Sequence, residues 1–183
     1  MLRIFDFLFS FFGLLVLSPV LLILFVITYF DTGSPLFRQE RIGRFEEPFT
    51  LIKFRTMQFD TASVASHLVD KSAITSIGSF LRKSHLDELP QLWNVLKGNM
   101  SLVGPRPALF SQEKLRDARK KHDVYRVRPG ITGLSQVSGL DTSTPELLAE
   151  TDAKMIQNLS LIDYFKFIIA TASGKGGGDA AQR

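Results

Sequence analysis

The stretch FLFSFFGLLVLSPVLLILFVITYF, residues 7–30, decides the architecture, because it runs for 24 residues without a charged side chain. As one straight helix it would be about 36 Å long, enough to cross a hydrocarbon core of roughly 30 Å. A secretory signal fits poorly, since the apolar run is too long and no small-residue cleavage site follows it. A helix buried in a soluble core is disfavoured too, because the apolarity faces every direction. Ser18-Pro19 lies near the middle. Pro19 cannot donate to the Leu15 carbonyl and its ring crowds that turn, so a bend is expected there. The halves 7–17 and 20–30 would each be about 16 Å long, roughly half a bilayer. Two arrangements follow: a kinked helix that spans the membrane, or a broken one that dips in and returns to the same face. Kinked spanning helices are common, so physics alone favours the span. Arg38, Arg41 and Arg44 place the following domain in the cytoplasm in both cases.

The chain has 183 residues, room for one modest domain, and its 22 Lys and Arg against 18 Asp and Glu give a formal charge of +4. Such a balance suits phosphate ligands, anionic lipid or nucleic acid without choosing among them. There is no cysteine, hence no disulfide, thiol nucleophile or thiolate metal site. The histidines (His67, His85, His122) are too scattered for a zinc cluster. Chemistry is left to carboxylates, hydroxyls and bases.

Past the apolar segment, Leu36–Ile42 and Phe49–Arg55 read as two short strands, with Gly43 and Glu46-Glu47-Pro48 as the turn between them. Residues 60–73 show little periodicity and read as a loop or short helix. Leu86, Leu89, Leu92, Trp93 and Leu96 recur at helical spacing, with Gly98 as the stop. Either Ser84 caps this helix, with Asp87 completing a capping box, or Pro90 takes the first helical position. Both alternatives put Asp87 and Glu88 at or just before the first turn. Residues 111–125 read as a charged, solvated helix. The stretch 160–172 is apolar on a broad face, suited to the core or to a membrane surface. A glycine-rich tail closes the chain.

Asp87 and Glu88 stand between basic clusters. In the plainest reading they complement a helix N-terminus. Neighbouring helical residues point about 100° apart, however, so the two carboxylates suit two roles better than one. Other segments, KFRT (53–56), LVGPRP (102–107) and YRVRPGITG (125–133), carry Arg or Lys on stiff or glycine-rich backbone. That limits the ordering cost of gripping an anion, and guanidinium does so in a bidentate way.

KFRTM (53–57), LDELPQLWNVLKGNMSLVGPRP (86–107) and RPGITGLSQVSG (128–139) resemble, in this order, the monotopic phosphoglycosyl transferases among the bacterial sugar transferases. The likeness runs from about Leu2 to Thr171 and includes the Ser-Pro break. It implies an α+β, mainly helical fold: a re-entrant membrane helix over 1–31, a compact cytoplasmic catalytic domain over 32–173 with a small β-hairpin and interfacial amphipathic helices, and a flexible tail over 174–183. It implies transfer of a phosphosugar from a UDP-sugar to polyprenyl phosphate at the bacterial inner membrane, with release of UMP. Asp87 would be the nucleophile that forms a covalent phosphosugar intermediate, and Glu88 would help hold Mg²⁺, with Asp87 beside it. Lys53, Arg55, Arg82, Arg106 and Arg128 would be the candidates for neutralising phosphate. A hairpin would keep both ends cytoplasmic and seat the site at the lipid head groups. Leu140 and Met155 stand where many relatives have arginine and tyrosine, so no sugar identity carries over. The number of copies in an assembly is left open.

The rival reading is a membrane-anchored protein whose basic face binds anionic lipid or a partner without catalysis. An Asp-x-Asp pair, as a haloacid-type phosphatase or a metal-dependent glycosyltransferase would use, is absent, as is a P-loop. Nucleic acid fits the charge, but no reading motif accompanies it.

Overall fold

The computed structural model describes residues 2–59 and 73–174. The loop or short helix expected over 60–73 lies almost wholly outside them, as does the tail after Gly174. Helix α1, Leu2–Thr32, is among these residues the one helix long and apolar enough to cross a membrane. It continues through Pro19, where the sequence predicts a bend and the family resemblance implies a re-entrant break. Pro19 has no N–H for the Leu15 carbonyl, and the Ser18 hydroxyl donates to that same oxygen at 2.8 Å, so the turn loses no bond.

Three of the four buried positions of the helix are polar, and its exposed surface is apolar. Its buried positions are Asp6, Ser10, Leu24 and Thr28, which share one helical stripe, while Val16 and Phe30 are 72% and 82% exposed. Asp6 Oδ1 accepts from Ser101 Oγ (2.9 Å), the Leu102 amide (2.9 Å) and the Tyr164 hydroxyl (2.8 Å). Arg3, beside it, donates to Val95 O (2.6 Å) and Met100 O (3.0 Å). At the other end Asp31 Oδ2 accepts from Thr75 Oγ1 at 2.6 Å, and Leu24 packs with Phe54 and Leu81. Both ends of α1 therefore rest on the same domain.

Strands β1 (Leu36–Ile42) and β2 (Pro48–Phe54) form the expected hairpin, with β2 starting and ending one residue early. They pair antiparallel from Leu36↔Phe54 to Ile42↔Pro48. Opposed residues share a face, so Phe37, Gln39 and Arg41 lie with Lys53, Leu51 and Phe49. A second sheet, parallel, joins β3 (Ser101–Val103) to β4 (Gly130–Thr132). Strands of three residues are too short to register as alternation, and the sequence reading misses them.

Helix α2 (Ser76–Lys83) starts at Thr75, whose hydroxyl accepts from the Gly78 amide at 2.8 Å. Ser84 closes this helix, its hydroxyl bonded to Phe80 O at 2.8 Å; it opens no capping box. His85 turns the chain with φ of 57°, the 3-10 turn Leu86–Glu88 follows, and α3 (Gln91–Lys97) begins behind Pro90. Val95, Gln91 and Asn94 take the buried side of α3, while Trp93, expected in the apolar stripe, is 51% exposed. Asn94 is inward because it braces β2: its Oδ1 accepts from the Ile52 amide (3.1 Å) and its Nδ2 donates to Thr50 O (2.8 Å).

Helix α4 (Glu113–Lys121) is not simply a solvated element, since Leu115, Ala118 and Arg119 are buried against α6 (Pro145–Asn158), which follows the short α5 (Leu134–Val137). In α7 (Leu161–Ala172) one face, around fully buried Tyr164, joins the core of Phe49, Leu51, Val95, Met100, Leu102, Val103 and Met155. Its other face exposes Leu161, Ile162 and Ile169. The fold is mainly helical with small sheets, as the sequence predicts.

Burial, reinforced by the Asp6 carboxylate, pushes the Tyr164 hydroxyl far above the usual phenol range, so it stays a donor. Removing it in Tyr164→Phe should cost about 1 kcal/mol. Asp6→Ala should cost about 3 kcal/mol or more, because it strands several buried donors together. Thermal unfolding of the detergent-held chain would rank the two, and equal losses would contradict the arrangement.

Candidate active site

Asp87 and Glu88 sit on the single turn Leu86–Glu88, between the end of α2 and the start of α3. Asp87 is buried, at 4% exposure, while Glu88 reaches a small polar pocket lined also by Arg41, Lys53, Gln91 and Arg106. Adjacent carboxylates thus face different surroundings. The left-handed backbone at His85 sets this turn, and a non-glycine residue there is strained, as residues beside working sites often are.

The strand register explains two of the cations. Lys53 and Arg41 come from opposite strands of the hairpin but lie on the same face, toward the pocket. Arg41 is held by the Gln39 side chain and by Pro107 O, the latter at 3.0 Å. The third cation, Arg106, places Nη1 3.7 Å from Glu88 Oε1.

Arg106 is steady because its loop is pinned along its length. The Gly104 amide donates to Thr132 O and Pro105 O accepts from the Gly130 amide, both at 2.8 Å. Arg106 O accepts from Arg119 Nη1 at 2.7 Å, and Ala108 O from the Ile42 amide at 2.9 Å. Arg119 is itself fixed by Asp152, with Nε and Nη2 at 3.0 and 2.6 Å from Oδ2, and Ser135 Oγ donates to Oδ1 at 2.7 Å. Arg119 and Asp152 are 2% and 0% exposed, so the ion pair is fully desolvated. The backbones of Gly104 and Gly130 pass so closely that a Cβ on Gly130 would lie 2.0 Å from the Gly104 nitrogen.

Of the other cations named from sequence, Arg82 is buried and donates from Nε to Thr56 Oγ1 at 2.8 Å. Gly78, one turn earlier, permits this, since its Cβ would strike Thr56 O. Arg55 turns toward the end of α1: Nε donates to Ser34 O at 3.0 Å, and the guanidinium lies over the rings of Phe37 and Phe59. Arg128 donates from Nε to Gly98 O at 2.7 Å, at the C-terminal end of α3. Burial and the neighbouring Arg3 and Arg44 lower its pKa. Neither Arg55 nor Arg128 lines the pocket with Glu88.

Sequence reasoning missed Arg41, Gln91 and the Arg119–Asp152 pair. Alternation along β1 carried a signal for Arg41, which shares a face with Phe37 and Gln39. Only the pairing register brings it to Lys53. The two departures from the family pattern are accounted for as packing: Leu140 lies against Ile42, Ala108, Leu115 and Leu148, and buried Met155 accepts the Leu134 amide on its sulfur at 3.1 Å.

Across residues 1–175 the chain matches the family described as bacterial sugar transferase, and it belongs to that family. It is 39% identical over 170 residues to the uncharacterized sugar transferase EpsL of Bacillus subtilis, covering 92% of this chain and 84% of that protein. It is 40% identical over 164 residues to the UDP-glucose:undecaprenyl-phosphate glucose-1-phosphate transferase of Caulobacter vibrioides, covering 84% of this chain and 61% of that one. The undecaprenyl-phosphate galactose phosphotransferase of Salmonella typhimurium is 34% identical over 187 residues, 93% of this chain and 39% of its own length. The chain therefore spans less than two thirds of these last two relatives.

Asp152→Ala should leave Arg119 charged and buried, and so cost about 3–5 kcal/mol. Gly130→Ala should cost about 1–3 kcal/mol by forcing the loop off β4. Thermal melts of both variants would check the pinning, and a wild-type melt for either would refute it.

Proposed function

We propose that this chain is a phosphoglycosyl transferase that moves a sugar phosphate from a UDP-sugar to polyprenyl phosphate and releases UMP, as a first membrane step in building a bacterial glycoconjugate. The observation that carries this reading is the buried Asp87 next to Glu88, with Glu88 facing a pocket of Arg41, Lys53 and Arg106 on a domain that holds both ends of an apolar helix. The printed activities of the Caulobacter and Salmonella relatives support it.

In the proposed reaction an Asp87 carboxylate oxygen attacks the β-phosphorus of the donor. The bond from that phosphorus to the bridging oxygen breaks, and UMP leaves with the oxygen. An oxygen of the polyprenyl phosphate then attacks the aspartyl phosphosugar, the Asp87–phosphorus bond breaks, and the carboxylate is regenerated. Carboxylates serve as covalent nucleophiles at phosphorus in other enzymes. Burial excludes water that would otherwise hydrolyse the intermediate. Arg41, Lys53 and Arg106 would hold the phosphate oxygens, where fixed cations favour charge that builds up in the transition state.

Among the described residues there is no group of three or more metal-ligating side chains. Glu88, at the cationic pocket, and Asp87, beside it in the chain, would be the carboxylates to hold Mg²⁺, which commonly takes one or two carboxylates and fills its remaining positions with water and substrate phosphates. Bound there, it would neutralise phosphate charge and orient the diphosphate.

Two observations support a helix that enters and leaves by the cytoplasmic face: both ends of α1 rest on one domain, and Arg38, Arg41 and Arg44 follow it. Exposed Phe80, Trp93, Ile162 and Ile169 suit elements lying at the interface.

UMP release by the detergent- or nanodisc-held chain, given Mg²⁺, undecaprenyl phosphate and a panel of UDP-sugars, tests the reading. Asp87→Asn should lower the rate at least about a thousandfold and Glu88→Gln about a hundredfold, with melts unchanged. Retained turnover in Asp87→Asn would overturn the covalent route. No release with any donor, together with binding to anionic vesicles, would favour the lipid-binding alternative. Arg41→Met and Arg106→Met should each weaken UDP affinity about tenfold, a loss of about 1.4 kcal/mol. Arg128→Met should change it less than about twofold, within about 0.4 kcal/mol.

A further inference from the structure

Next to the cationic pocket lies a second, larger cavity of different character. It is an open groove of about 410 Å³ between the Leu86–Glu88 turn and α7. Leu86, Leu89 and Leu92, three residues apart, form one wall; Leu102 and Ile131 of the parallel sheet form the floor; Ile168 of α7 closes the far side. The hydroxyls of Thr132 and Thr171, which also line it, lie 2.5 Å apart and bond to each other. Glu88 and Ile131 line both this groove and the cationic pocket, so the two cavities meet at Glu88.

We infer that this groove seats the isoprene units nearest the phosphate of the prenyl phosphate acceptor. The inference rests on the proposed transfer reaction and adds where the acceptor's tail lies. The occupant this favours is anionic at one end and apolar along the rest, because Arg106 and Lys53 line the cationic pocket that shares Glu88 with the groove, and leucine and isoleucine line the groove beyond it. The volume falls in the range of about 300–1,000 Å³ usual for small-ligand sites, so it takes a few isoprene units and leaves the remaining tail in lipid. The direction is also given. A Cβ on Gly13, midway along α1, would lie 3.3 Å from Leu92 Cδ1, so the leucine wall abuts the helix assigned to the membrane.

Ile168→Trp, which fills the groove, and Ala172→Trp, at its exposed rim, should raise the KM for undecaprenyl phosphate about tenfold, with a smaller effect on donor KM. Gln157→Trp, at an exposed position of α6 away from the groove, is the control and should move neither. Unchanged acceptor KM in a folded Ile168→Trp or Ala172→Trp chain would overturn the inference. If wild type releases no UMP with any donor, the transfer reading itself fails. The groove is then read directly by photolabelling the full chain with a diazirine-bearing geranylgeranyl phosphate. Labels in 86–92 or 168–172, displaced by undecaprenyl phosphate and not by phosphatidic acid, would support a prenyl site. Labels elsewhere, or equal displacement by phosphatidic acid, would mark a general lipid surface and refute it.

Discussion

Asp6 sits near the start of an apolar helix and at the centre of the domain. Its single oxygen Oδ1 gathers bonds from β3 through Ser101 and Leu102 and from α7 through Tyr164. A buried carboxylate is costly unless its lone pairs are filled, and here the donors fix where three elements meet. Once α1 is docked this way, α3 packs beneath it and Arg3 holds the carbonyls of Val95 in α3 and of Met100 just after it. The turn bearing Asp87 and Glu88 leads straight into α3, so the acid pair is registered against the membrane-facing helix through this contact.

A second constraint acts from the other side. The Gly104–Gly130 crossing lets two backbones approach closer than any side chain allows, and the loop leaving it is tied at successive carbonyls. The buried Arg119–Asp152 pair contributes by holding Arg106 O rather than by touching the pocket. Arg106 therefore meets Glu88 with little left to order, which is what a site needs if a phosphate is to find its cations already in place. The arrangement also explains why so many bases in this chain are not at the pocket. Arg3, Arg119 and Arg128 bond to backbone carbonyls.

What the sequence by itself determined is the set of features written in local order. The apolar run of 7–30, the hairpin alternation, the stop at Gly98 and the acid pair before α3 are short-range patterns, and each emerged nearly where expected. Local reading also has limits that show at particular residues. Ser84 satisfied the rule for a helix start and instead ends the preceding helix, because its hydroxyl reaches carbonyls behind it as readily as amides ahead. Pro19 removes a bond from α1, yet the Ser18 hydroxyl fills the Leu15 carbonyl and the helix continues.

Tertiary structure alone decided which cations surround Glu88. Arg41 and Lys53 meet through strand register and Arg106 arrives from a loop after the third strand, so their convergence is a property of pairings between segments far apart in the chain. The parallel sheet was hidden for the same reason, being too short to alternate and held by contacts between distant glycines. Which arginines reach the pocket at Glu88 and which brace the backbone depended on what each could reach once the chain had folded.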